Sequence, residues 1–188
     1  MKTTITLAVA AGLMISAVGM ASAEKLVVGL ASETTSMDPQ FHNTGPNNAL
    51  SLHVFDRLIL QNETQGLYPG LAVSWTPVDD LTWEFKLREG VKFHDGAKFT
   101  ADDVVFSIQR AMAPTSNYRA YTTGIKEVRR VDDFTVDIEL SAPNPVLFNQ
   151  LTNVFIMNRA WAEKHNVTRP QDYVKQEETF AARNTNGT

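Results

Sequence analysis

The sequence predicts a mixed α+β fold with several short antiparallel strands. Residues 81–87 and 134–140 alternate apolar and polar side chains at the two-residue period of a half-buried strand. Residues 100–112 carry apolar side chains at helical spacing behind a threonine able to cap the first turn. Turns containing Gly, Pro, Asn or Asp separate these segments.

The chain has 188 residues, enough for one domain with a packed core, or one and a fraction. The formal net charge of −4 carries no basic footprint for nucleic acid. The N-terminus reads as a secretory leader. Lys2 gives a short positive start, residues 5–18 are almost wholly apolar, and Ala21-Ser22-Ala23 has the small-x-small pattern of a cleavage site. Cleavage is expected between Ala23 and Glu24, making 1–23 a signal peptide; the competing reading is an uncleaved anchor. There is no cysteine. The mature protein therefore depends on its core rather than on disulfides, and has no thiol for a lipid anchor at the cleavage point. A free, periplasmic protein is the resulting expectation.

Residues 25–31 form a short apolar run with β-branched members and predict a buried strand. Residues 32–48 are rich in Ser, Thr, Asn, Gly and Pro and predict a loop, a common place for binding after the first strand of an α/β sheet. Residues 47–58 predict a helix with Ala49, Leu52, His53, Phe55 and Leu58 near one face. Turns are expected at 62–66 and 68–70. The strand at 81–87 turns at 88–90 and is expected to pair with 91–93, before a further turn at 94–96. Thr100 and Asp103 resemble a capping box, with Asp102 and Asp103 placed where the helix dipole favours negative charge. Ala101, Val104, Val105, Ile108, Ala111 and Met112 form the apolar face, and Pro114 ends the helix. Residues 125–131 and 134–140 predict a hairpin with one wet face. Short helices are expected at 145–151 and 159–165, with an apolar run at 154–157 between them. From 171 onward the chain is polar and ends without a closing element.

No catalytic motif is present: neither a phosphate-binding loop nor a Gly-x-Ser-x-Gly elbow nor His-Glu-x-x-His occurs. The chain is read as a non-enzyme with no catalytic residues, no metal site and no cofactor. His94-Asp95 sits in a Gly-containing turn and is read as local hydrogen bonding. Asp102 and Asp103 point about 100° apart on a helix and serve its terminus rather than a shared site. Trp75, Trp83 and Phe85 are read as core. Residues 33–39 are the most functional in character, the alternative being an ordinary connecting loop.

Four stretches resemble the family-5 extracellular solute-binding proteins of ABC importers, the dipeptide and oligopeptide binders. They are 32–39 (Ser-Glu-Thr-Thr-Ser-Met-Asp-Pro), 67–75 (Leu-Tyr-Pro-Gly-Leu-Ala-Val-Ser-Trp), 81–96 and 99–107, with Arg110 following. The resemblance implies a type II periplasmic-binding-protein fold with an extra inserted domain, here only part of lobe one plus that domain. Residues 24–55 would begin lobe one, 56–176 would be the inserted α+β domain, and 177–188 the return to lobe one, with the second lobe absent. It implies capture of a dipeptide or oligopeptide for a membrane permease, by a monomer with no nucleotide site. Nickel complexes, haem, opines or oligosaccharides are alternative solutes, and ligand presentation to a chemoreceptor or sensor kinase is an alternative role. The segment after the first strand would lie beside the ligand. Glu33, Thr34 and Thr35 match it, Ser36 could add a hydroxyl, and Tyr118 falls near where some members place a tyrosine. Half a clamp is expected to bind poorly alone.

Overall fold

The computed structural model describes residues 27, 29, 32–175 and 177–188. The leader, the expected cleavage point at Ala23 and Glu24, and most of the expected strand 25–31 lie outside the described residues. Among the described residues, no helix is long and apolar enough to cross a membrane.

Helix α1 spans Gly45–Val54, two residues earlier than the sequence suggests, because Pro46 supplies a preset first turn. Its buried residues are Asn47 and Ser51, while Leu52 is exposed. The expected apolar face is thus corrected: Phe55 and Leu58 are core residues beyond the helix, and the helix turns a polar side inward. Strands β1 (Ile59–Gln61) and β2 (Leu67–Pro69) pair antiparallel. The Asn62 side chain closes their connection, accepting from the Thr64 and Gly66 N–H groups. Tyr68 and Pro69, expected to open a turn at 68–70, therefore belong to a strand. Gly70 follows because a Cβ there would collide with the Arg57 carbonyl oxygen.

The main sheet contains β3 (Ala72–Pro77), β4 (Thr82–Leu87), β5 (Ile125–Asp132) and β6 (Thr135–Leu140), in the order β3-β4-β6-β5, all antiparallel. β3 was not anticipated. It occupies the position beside β4 that the sequence suggested for 91–93, which makes only an isolated bridge between Lys92 and Lys98. The register aligns Trp75, Phe85 and Val136 in one row and Trp83, Ile138 and Val128 in the next, on one face. The other face carries Glu84, Asp137 and Arg129, with ion pairs Glu84–Lys86 and Asp137–Arg129. The apolar face is the inner one. Phe85, Val136 and Ile138 are fully buried, and each such side chain contributes about 1.5–3 kcal/mol.

Helix α2 (Ala101–Met112) covers the sheet through Ala101, Val104, Ile108 and Ala111, all buried; Val105 and Met112 pack at its border. Helices α3 (Leu147–Leu151) and α4 (Arg159–Lys164) follow, with the apolar run Val154 to Met157 buried between them. Phe148 of α3 packs edge-on to Trp83 at 4.8 Å and also against Trp75 and Phe85, so these aromatics are core, as read from their spacing. Asp103 ties the starts of two helices together. Its Oδ2 accepts from the Thr100 N–H, and its Oδ1 accepts from the Arg159 N–H and from Asn158 Nδ2. Asn158 in turn caps α4 by accepting from the Trp161 N–H. Beyond a short 3-10 turn at Phe180–Ala182 there is no further strand or α-helix, yet the polar tail is packed. The Gly187 carbonyl accepts from the His94 N–H, and a side chain at Gly187 would collide with the Val54 backbone.

Candidate functional site

Within the segment singled out in the sequence, residues 33–39, residues 33–36 form neither helix nor strand, and Thr35 and Ser36 lie against α1. Asn47 fixes it from the helix: its Oδ1 accepts from the Thr35 N–H at 3.2 Å, and its Nδ2 donates to the Ser36 carbonyl at 3.1 Å. This explains the polar inner face of α1. The helix packs on a backbone whose polar groups need partners, so Asn47 serves there better than an aliphatic residue. Thr35 Oγ1 also meets His42 Nδ1 at 2.6 Å.

A buried ion pair anchors the next residues. The Arg110 guanidinium donates to both oxygens of Asp38, at 2.8 and 2.6 Å, and both side chains are fully excluded from solvent. Arg110 further donates to Gln40 Oε1 and to the Val167 and Arg169 carbonyls. Gln40 donates to the Ser107 and Phe155 carbonyls, and its own N–H returns to Asp38 Oδ1. Burying an unpaired charge is costly, so the planar fork of Arg110 fixes Asp38 to α2 in one geometry. The stretch 33–38 is therefore held on a rigid support built by residues 40, 107, 110, 155 and 167.

Glu33 and Thr35 are exposed and Thr34 is half-buried. Among the described residues, the backbone groups of Glu33 and Thr34 make no hydrogen bond to the rest of the chain. Ser36 is buried, and its Oγ accepts from the Asp38 N–H within the chain's own turn. Tyr118 is 1% exposed; it lies against Tyr121 and Phe155, and its hydroxyl donates to Asn48 Oδ1. Burial pushes its phenol well above the usual range, with smaller contributions from Tyr121 and Asp38, so the hydroxyl stays protonated and donates. The structure thus leaves Glu33 and Thr35 exposed and Thr34 half-buried, buries Ser36 in the turn at Asp38, and buries Tyr118 against Asn48, Tyr121 and Phe155. Asp38 and Arg110 lie 72 residues apart, and sequence reasoning did not pair them. The signal available was that both fall inside the motif stretches, Asp38 beside Pro39 and Arg110 after the α2 block.

Among the described residues, no group of three or more His, Asp or Glu side chains is arranged to hold a metal ion. His94 and Asp95 lie in the turn before Gly96. His94 Nδ1 accepts from the Gly187 N–H, and Asp95 Oδ1 accepts from the Ala97 N–H.

Residues 66–188 match the family described as bacterial extracellular solute-binding proteins, family 5, middle region. The periplasmic oligopeptide-binding protein OppA of Escherichia coli K12 is 32% identical over 155 residues, covering 72% of this chain and 28% of that protein. The heme-binding protein A of Haemophilus influenzae is 36% identical over 130 residues, covering 58% of this chain and 24% of its own length. Among solved structures, NikZ from Campylobacter jejuni in complex with Ni(L-His) superposes with a TM-score of 0.69 at 28% identity, over 84% of this chain and 30% of that one. The chain spans less than a third of the length of each. Family match, sequence relatives and fold agree: the chain belongs to the family-5 bacterial extracellular solute-binding proteins.

Proposed function

We propose that this chain captures a peptide outside the inner membrane and presents it to the permease of an ABC importer. The observation that carries the peptide reading is the stretch Glu33–Thr34, whose backbone groups have no hydrogen-bond partner among the described residues and which is held at its C-terminal side by Asn47 and the Asp38–Arg110 pair. An extended backbone edge pairs with another extended backbone whatever side chains it carries, which suits a carrier of varied peptides. Relatives named for haem or for a nickel–histidine complex show that the family takes other solutes too, so the edge, rather than family membership, favours peptide.

In this reading residues 1–23 direct export and are removed after Ala23. Residues 24–55 and 177–188 belong to lobe one, and 56–176 form the inserted domain. Glu33, Thr34 and Thr35 line the ligand. Ser36 and Tyr118 support them from beneath, through the Asp38 N–H and Asn48. Closure of a binding clamp is driven only by contacts that differ between open and closed states. The partner is a membrane permease, the protein acts as a monomer, and the energy for uptake comes from the importer's ATPase.

Backbone amide NMR of the full chain, titrated to millimolar Ala-Ala-Ala, nickel–histidine and haem, tests the proposal. The tripeptide is expected to shift the amides of 33–35. A response there only to haem or nickel–histidine would replace the ligand class, and no response to any of the three would remove the capture role from this edge.

A further inference from the structure

His42 is half-buried and lies beyond the stretch 33–39, yet it is tied back to Thr35. Its ring stacks on buried Phe41 with centroids 4.0 Å apart and planes 19° apart, and Thr35 Oγ1 lies 2.6 Å from its Nδ1. Thr35 Oγ1 also accepts from Asn47 Nδ2 at 3.1 Å. Counting donors fixes where the Thr35 hydroxyl proton goes. Asn47 Oδ1 already takes the Thr35 N–H and the Thr44 hydroxyl, each at 3.2 Å, and a carbonyl oxygen has two lone pairs. The Thr35 hydroxyl, 3.3 Å from the same oxygen, would be a third donor. With His42 neutral and Nδ1 bare, every group is matched: Asn47 donates to Thr35, and Thr35 donates to His42.

We propose that His42 is a positioning residue for ligand capture: through Thr35 and Asn47 it sets where the backbone groups of Glu33 and Thr34 lie, and its protonation loosens them. The proposal rests on the peptide reading of Glu33–Thr34. A proton on Nδ1 makes His42 a donor to Thr35 Oγ1 and turns the Thr35 hydroxyl proton out of that bond. The fixed acceptor within reach is Asn47 Oδ1, which is already full. The hydroxyl then competes with the Thr35 N–H, the bond that ties this backbone to α1. Histidine changes charge between about pH 5 and 8, so the relay acts in an accessible range. The titratable and charged groups sharing the cavity beside the ring are Tyr173, tilted at 5.3 Å, and Glu178 and Arg183, whose ion pair at 2.6 Å cancels their charges. Asp38, on the same segment as His42, is committed to Arg110.

Amide and imidazole NMR of the full chain between about pH 5 and 7, where both ends of Ala-Ala-Ala keep their charges, tests this. Without peptide, the Thr35 amide is expected to shift with the same midpoint as the His42 ring. With Ala-Ala-Ala, affinity is expected to fall about fivefold from about pH 7 to pH 5, the scale of one hydrogen bond. His42→Phe keeps a ring on Phe41 but offers no acceptor; it should bind about fivefold more weakly at neutral pH and lose the pH dependence. His42→Asn, whose Oδ1 can stand where Nδ1 stood, should restore the neutral-pH affinity without the pH dependence, a rescue that a merely structural ring would not show. A Thr35 amide that stays fixed while the ring titrates would overturn the relay. Wild-type affinity in His42→Phe, or equal affinity at both pH values, would overturn the positioning role, while shifts at 33–35 leave the peptide reading standing. If Ala-Ala-Ala moves no amide of 33–35 at neutral pH, the peptide reading falls and the positioning role falls with it.

Discussion

Replacing Asp38 by Asn leaves the Arg110 guanidinium buried without its counter-charge. The geometry sets the size of the effect. Both side chains are fully buried, and two charge-assisted hydrogen bonds of 2.8 and 2.6 Å join them. The Asn amide can accept one of these and must turn a donor toward Arg110 for the other. Removing one partner of a buried pair costs about 3–5 kcal/mol. Arg110 keeps Gln40 Oε1 and the Val167 and Arg169 carbonyls, which places the cost near the lower end, at about 3 kcal/mol. For a chain of this size that is a fall in Tm of roughly 10 °C. Urea unfolding followed by the fluorescence of the three tryptophans measures it. The double variant Asp38→Leu with Arg110→Met removes both charges together. It should cost less than the sum of its single variants by about 2 kcal/mol, because neither charge is left stranded. A loss under about 1 kcal/mol for Asp38→Asn, or additive single variants, would refute the argument that this pair anchors the stretch 33–38 to α2.

Asp103 titrates above its usual value of 3.8, because burial outweighs the hydrogen bonds from Arg159 and Thr100. Its protonated form is therefore the better fit to the fold. That advantage is full below the unfolded value and is lost as pH rises through the higher folded one. Relative to Asp103→Asn, which does not titrate, the wild-type chain should gain stability as pH is lowered across that window, and urea midpoints at several pH values read the trend. Tyr118→Phe removes the buried hydroxyl bond to Asn48 and should cost about 1–2 kcal/mol. Tripeptide affinity should fall no more than about twofold if Tyr118 acts only from beneath the edge; a loss of about tenfold would return Tyr118 to the ligand contacts. Gly187→Ala forces a Cβ against the Val54 carbonyl and should detach the tail, seen as loss of hydrogen-exchange protection at the His94 amide.

Much of the local structure was legible in the sequence. The α2 helix follows from Thr100, Asp103 and the spacing of Val104, Ile108 and Ala111, all local signals. The β5–β6 hairpin follows from two-residue alternation and from Asp132, whose carboxylate accepts the Phe134 N–H in the turn. The family resemblance was legible too, because the motif stretches keep their residues in linear order. The misreadings fall where long-range partners decide. α1 turns Asn47 inward to satisfy the backbone of 35–36, which reverses the face that hydrophobic spacing suggests. β3 was missed because its burial pattern does not alternate, with Val73 exposed and Ala72 buried beside a bulge. Residues 91–93 have strand composition, but β3 and β6 already fill both sides of β4.

The sequence alone determined which segments form helices and strands wherever capping, alternation and turn chemistry agree, since those signals act over a few residues. It also marked residues 33–39 as the stretch most functional in character. Only the tertiary structure decided which of those residues reach solvent and what holds them in place. Asp38 meets Arg110, and Thr35 meets His42 and Asn47, through contacts set by how the chain packs. A buried charge must find its partner wherever the fold brings one, and that distance through the chain carries no local signal.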